Sequence, residues 1–176
     1  PDFDKAENAY LLAEQFDPYN ARAWVGHAFL KYLSWESRGA RPEDLRWKTI
    51  PPLLLKAASP PRNPDAWTLH SERATMTRSL LARAGSQLSP RELIPLQASI
   101  VEAARTASRL YPTNAGLHAN LADASADIGM FQDAAKEADE ALRLDALTPH
   151  PDKKLPTAVR DRLQAKRTDW AEKAKS

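Results

Sequence analysis

The sequence predicts an all-α fold of about eight helices arranged in antiparallel pairs. Three observations predict it. Only five of the 176 residues are glycine, and no stretch of useful length alternates apolar and polar residues as a strand would. Apolar residues return at helical spacing along most of the chain. One phrase also comes back: "FDPYNARAWVGHAF" from Phe16, "NPDAWTLHSERA" from Asn63 and "LYPTNAGLHANLADA" from Leu110. Each reads as the end of one helix, a corner and the start of the next. The 14 prolines must then lie at helix borders, because a proline in a helix interior costs roughly 3 kcal/mol.

The elements follow in order. Ala6, Ala9, Tyr10, Ala13 and Phe16 give a first helix over 4–16, stopped by Asp17-Pro18. Asn20 suits the N-cap of a second helix over 21–35, since its side chain can accept from orphan amides of the first turn. "ESRGARPED" is a loop. Pro42, Glu43 and Asp44 favour a third helix start, running to Ala58 and kinked or restarted at Pro51-Pro52. "SPPRNP" is a rigid linker before a long helix over 65–84. Ser89 is the next N-cap with Pro90 just inside, and that helix runs to Leu110, adjusted at Pro95. Asn114 caps a helix to Ile128, which Gly129 ends in the left-handed conformation. A helix over 132–144 follows, then the loop "DALTPHPDKK". The last helix covers 156–174, with Leu155, Val159, Leu163 and Trp170 along one side.

Apolar residues at 43% and charged residues at 27% describe a globular composition rather than a disordered one. The absence of cysteine excludes disulfides, thiol catalysis and cysteine-ligated zinc. No apolar run approaches the ~20 residues of a membrane span, and the start does not read as a signal peptide. "PDFDKAENAY" carries no initiator Met and already belongs to a helix without a partner, so a fragment of a longer chain is expected. The net charge of +2 is uneven. Residues 1–30 and 110–145 are acidic, whereas 31–109 and 146–176 are basic. Such blocks read first as solvated helix faces.

Residues 115–147 form the clearest unit: Leu121-Ala122, Gly129, then Phe131, Ala134, Ala138, Ala141 and Leu144. This unit resembles the tetratricopeptide repeat (TPR), a helix–turn–helix of ~34 residues, although Ala146 stands where that pattern has proline. Small residues at Ala122, Ala134 and Ala141 let its helices approach, while Phe131 and Leu144 fill the space between units. Ala6, Tyr10, Ala13 and Pro18 are similar to a second half-repeat, and Trp24 and Trp67 occupy the motif's early aromatic position. The resemblance implies a half repeat over 2–20, expanded repeats over 21–63 and 64–114, a regular repeat over 115–147 and a capping helix over 155–175. Together they form one domain over 1–176, a TPR-like right-handed superhelix of antiparallel helix pairs. Repeats of this kind bury their apolar faces only by stacking, and each corner passes from the outer helix of one unit to the inner helix of the next.

The resemblance also implies a non-catalytic scaffold that holds a protein or peptide in a concave groove. Mapped by position, its lining is Arg22, Val25, Phe29 and Tyr32, then Thr68, Glu72 and Thr75, then Asn120, Asp123 and Asp127. Asn120 matches an asparagine of the family's carboxylate clamp, but its neighbours are acidic, which disfavours an acidic-tail ligand. An apolar-to-acidic groove suits an aromatic or aliphatic anchor flanked by basic residues. The tail "ALRLDALTPHPDKKLP" is similar to tails after helical repeats in bacterial membrane proteins of the O-antigen ligase and polymerase type. That resemblance implies an extracytoplasmic, periplasmic appendage of a membrane-anchored glycan-transferring enzyme.

Other chemistry is weakly signalled. His27 and His70 fall at one repeat position and His118 at the early aromatic one. They read as packing histidines bonded to a neighbouring helix rather than as a metal ladder. His150 and Asp152 alone make no metal site, and no cofactor is expected. No glycine-rich phosphate loop or Gly-x-Ser-x-Gly elbow is present, and Ser71 beside His70 points to another side of its helix. Arg38, Arg41, Arg46 and Lys48 beside Trp35 and Trp47 would suit nucleic acid. Glu43 and Asp44 interrupt that patch, and an ordinary basic surface is the expected reading.

Overall fold

The computed structural model describes residues 2–60, 62 and 65–175. The expected unit start at Pro64, and with it Asn63 of the second corner and Pro61 of the linker, lies outside the described residues. Among the described residues there are eight α-helices, three short 3-10 turns and no strands. The residues expected to form one domain gather into two compact units, 1–96 and 97–176.

In the first unit α1 spans Phe3–Phe16, α2 Ala21–Ser37, α3 Ile50–Ala57 and α4 Trp67–Ala84. The expected helix from Pro42 does not form. Residues Leu45–Thr49 make a 3-10 turn instead, capped by the Asp44 carboxylate on the Arg46 amide. The α-helix begins only at Ile50, because Pro51 and Pro52 lack amide protons and fit its first turn. Packing on α2 also sets the loop before it. Trp35 and Trp47 are buried, and their indole N–H groups donate to the carbonyls of Arg41 at 3.0 Å and Pro42 at 3.3 Å. Gly39 and Ala40 turn the chain with positive φ. Trp35, Trp47, Ile50, Leu54, Leu80 and Ala84 close the core of this unit. Helices α1 and α2 meet closely at Gly26, where a Cβ would lie 2.6 Å from the Tyr10 hydroxyl.

Helix α5, Pro90–Leu110, carries the chain from one unit into the other. At its start Glu92 reaches back to the residue before the helix. The Ser89 hydroxyl and amide donate to the Glu92 carboxylate at 2.8 and 3.0 Å, and Lys48 joins them at 2.8 Å. Lys48 first, then Ser89, holds the Glu92 carboxyl down to about 2. In the second unit α6 spans Ala115–Asp127, α7 Phe131–Leu147 and α8 Thr157–Lys173. Gly129 adopts φ 78° between α6 and α7, the left-handed closure its position predicts. Ala122, Ala134, Ala138 and Ala141 are fully enclosed, so α6 and α7 touch almost backbone to backbone. Leu144, Leu155, Leu163 and Trp170 complete this core, and Phe131 and Val159 pack on it. Helix α8 therefore buries the expected stripe.

The two described corners are built alike. Pro18-Tyr19-Asn20-Ala21 and Pro112-Thr113-Asn114-Ala115 share their spacing. Asn20 accepts from the amides of Arg22 and Ala23, and Asn114 from those of Gly116 and Leu117. Each asparagine thereby satisfies two amides that the first turn leaves without helical partners.

Two substitutions test this packing. Gly26→Ala forces Tyr10 aside and should lower the unfolding free energy by about 1–3 kcal/mol. Leu163→Ala, at a site with no exposure, should lower it by about 2–5 kcal/mol. Chemical denaturation measures both, and an unmoved midpoint for Gly26→Ala would contradict the close approach of α1 and α2.

Candidate functional site

Helices α2 and α4 share one register. The Tyr32 hydroxyl lies 2.9 Å from Glu36 and 3.2 Å from the Ser79 hydroxyl, and Arg83 donates to Glu36 at 2.5 Å. Both steps from α2 to α4 are 47 residues, so the helices run in the same direction. By sequence offset alone, the same step of 47 residues pairs Phe29 with Met76 and Val25 with Glu72. Tyr32 is half-buried and Arg83 lies over its ring. It is a fixed floor element rather than a free contact.

Phe29 is 49% exposed and Leu33, one turn on, 38%. Val25 is half-buried, and Arg22, Thr68, Glu72 and Thr75 are exposed. Partial desolvation raises the Glu72 carboxyl above the usual range. The face expected of this unit thus combines apolar exposure with an exposed carboxylate that partial desolvation raises. Leu33 and half-buried Met76 are additions to it. Leu33 follows from Phe29 by the i, i+4 rule of a helix face. Met76 follows only from the register between two helices, which the sequence does not carry.

In the second unit Asn120 and Asp127 are exposed, as a groove requires. Asp123 is not open. It is 4% exposed, and Arg162 of α8 donates to its carboxylate at 2.6 Å. Helix α8 was expected only as an apolar cap, but its charged side also closes over this position. The tail before it has a structural task of its own. The buried Asp145 carboxylate accepts from the Leu155 amide at 2.6 Å, and Lys154 donates to the Asp145 carbonyl at 2.9 Å.

His27 and His118 bond to neighbouring helices, as expected of them. His27 is buried on α2, with its Nδ1 2.7 Å from Glu14 and its Nε2 3.5 Å from Glu7, both on α1. Tyr10 stacks on it at 6.2 Å between ring centroids. Lys31 donates to Glu7 at 2.5 Å and, as the foremost cause, keeps that carboxyl below its usual range. His118 reaches Glu137 of α7 and the Pro112 carbonyl, and His70 is buried. Among the described residues no group of three metal-ligating side chains forms. The aromatics of the basic patch are not available for stacking on bases, because Trp35 and Trp47 are enclosed. Arg46 there pairs with Asp44, and Lys48 with Glu92.

No family model matches the chain, and no curated protein matches it. Among solved structures it resembles the crystal structure of MamA, with a TM-score of 0.55 and 15% identity over 99% of this chain and 90% of that one. The fold is a TPR-like helical repeat. None of these comparisons supports the resemblance of the tail to O-antigen ligases. Among the described residues no helix is long and apolar enough to cross a membrane.

The Asp123–Arg162 pair gives a direct prediction. Arg162→Ala leaves the carboxylate enclosed without this guanidinium, and should destabilise the chain by about 1 kcal/mol given the exposure of the arginine. Asp123→Asn in the same background should recover part of that loss, as thermal denaturation of both variants would show.

Proposed function

We propose that the chain is a non-catalytic scaffold that binds a partner protein through a short segment laid along the α2–α4 face. The observation that supports this most is the exposed pair Phe29 and Leu33 on α2, with Glu72 exposed on α4 and its carboxyl raised by partial desolvation. An exposed apolar strip beside a raised carboxylate suits an aromatic or aliphatic anchor with a lysine or arginine about one to two helical turns away. Binding such a cation would satisfy Glu72, which desolvation alone disfavours as an anion. Arg22, Thr68 and Thr75 border the strip with polar groups that can fix a peptide backbone. On α6, exposed Asn120 and Asp127 add an amide and one carboxylate to the surface a partner can meet. The TPR-like fold supports a scaffold by analogy only, since one fold serves many tasks.

The test is selection of random peptides on the full chain from a display library. Recovered peptides should share an apolar anchor and a nearby basic residue. Phe29→Lys should weaken them at least tenfold, as loss of an anchor worth more than ~1.4 kcal/mol would, with helicity unchanged by circular dichroism. Glu72→Lys should weaken only those peptides that carry the basic residue. Peptides that bind Phe29→Lys as tightly as the parent chain would refute this face as the docking site.

A further inference from the structure

The two described corners share one more bond. In the first, the Trp24 indole N–H donates to the Pro18 carbonyl at 3.2 Å. In the other, His118 Nε2 lies 2.9 Å from the Pro112 carbonyl. Each ring nitrogen sits six residues after its proline. A carbonyl only accepts, so Nε2 must carry a proton. The other ring nitrogen, Nδ1, lies 2.6 Å from Glu137 Oε2 on α7. One proton lies between these two atoms. Imidazole is the stronger base, at about 6.5 against about 4.3 for a carboxylate, so the proton belongs to the ring. His118 is then an imidazolium that grips two acceptors at once. A neutral ring has one N–H and one lone pair and must turn that lone pair on either the carboxylate or the carbonyl.

We propose that His118 is a pH-sensitive tie between the corner at 111–114 and helix α7: protonated, it holds both the Pro112 carbonyl and Glu137, and on losing a proton it keeps its N–H on the Glu137 carboxylate, the stronger charged acceptor, and releases the Pro112 carbonyl.

Among the described residues, the charged groups that line the concavity beside the ring come from α7. Lys136, Glu137, Asp139, Glu140 and Arg143 line, with His118, a concavity of about 410 Å³. Arg143 donates to Glu140 at 2.6 and 2.7 Å and, as the foremost cause, keeps that carboxyl below the usual range. Glu140 therefore stays anionic while the ring titrates. Asp139 is taken by Arg167 of α8 at 2.8 Å. The corner contributes the Pro112 carbonyl, and Tyr111 is its one titratable side chain. The hydrogen bond to Glu137 raises the His118 value above 6.5, against partial burial, which lowers it. A group raised on folding contributes stability that is complete below its unfolded value of about 6.5 and is lost as pH climbs through its folded value. Trp24 does not titrate, so the first corner keeps its bond throughout.

The experiment is NMR on the full chain between about pH 5 and pH 9, a window that spans the ordinary histidine value. It follows the ring nitrogens of His118 and the exchange of the amides of residues 111–118, corrected for intrinsic base catalysis. Both ring nitrogens should be protonated at low pH, with a midpoint above the ordinary value. Corner protection should fall about fivefold as the ring titrates, the factor expected for one lost hydrogen bond. Glu137→Gln should move the midpoint down. His118→Trp, which copies the first corner, should keep the corner protected with no pH step. A midpoint at or below the ordinary value would overturn the proposal, as would a corner that does not respond, or a step that survives in His118→Trp.

Discussion

The chain depends on turning corners without leaving polar backbone stranded. A helix start leaves its first amides without partners, and a corner leaves carbonyls in the same state. Here an asparagine side chain takes two of the amides, and a ring N–H six residues after the proline takes the proline carbonyl. This bond crosses from the corner into the body of the next helix. It fixes the angle at which that helix leaves, and so which of its faces meets the helix before it. The alanine contacts of α6 and α7, and the Tyr10–Gly26 contact of α1 and α2, are short-range contacts that need this angle to be right.

Once the angle is fixed, the two units use different means to fill space. The second relies on small residues, with Ala122, Ala134, Ala138 and Ala141 all fully enclosed. Little side-chain entropy is lost there, and dispersion contacts run along the helix backbones. The first relies on large residues. Trp35 and Trp47 fill the gap that the inserted loop and the short α3 leave beside α2. A buried indole needs a partner for its N–H, and the loop carbonyls of Arg41 and Pro42 supply it. The loop between α2 and α3 therefore also completes the core beside it.

What the sequence makes legible is what repeats or has a period. The helices, the Asn20 and Asn114 caps, the Gly129 turn and the stripe of α8 all follow from local spacing. The third helix start was misplaced because Pro42, Glu43 and Asp44 carry the same signals at a 3-10 turn as at an α-helix. Only the pair Pro51-Pro52 decides which turn comes first. The site was less legible because it depends on registers between helices. The spacing that marks Asp123 as a groove residue carries no trace of Arg162, which lies 39 residues further on. Likewise Met76 joins Phe29 only through the 47-residue offset set by Tyr32 and Arg83.

The tryptophans are shared out unequally between the two units. Trp24, Trp35, Trp47 and Trp67 lie in residues 1–96, and Trp170 alone lies in 97–176. Trp24 sits under Lys56 and Arg62, with each cation within 5 Å of its ring centre, while Trp170 is enclosed beside Lys166. Four of the five indoles thus lie in the first unit. The second unit speaks through one buried indole at the far end of α8. That indole is enclosed where α8 packs on α7, so its surroundings report on that contact.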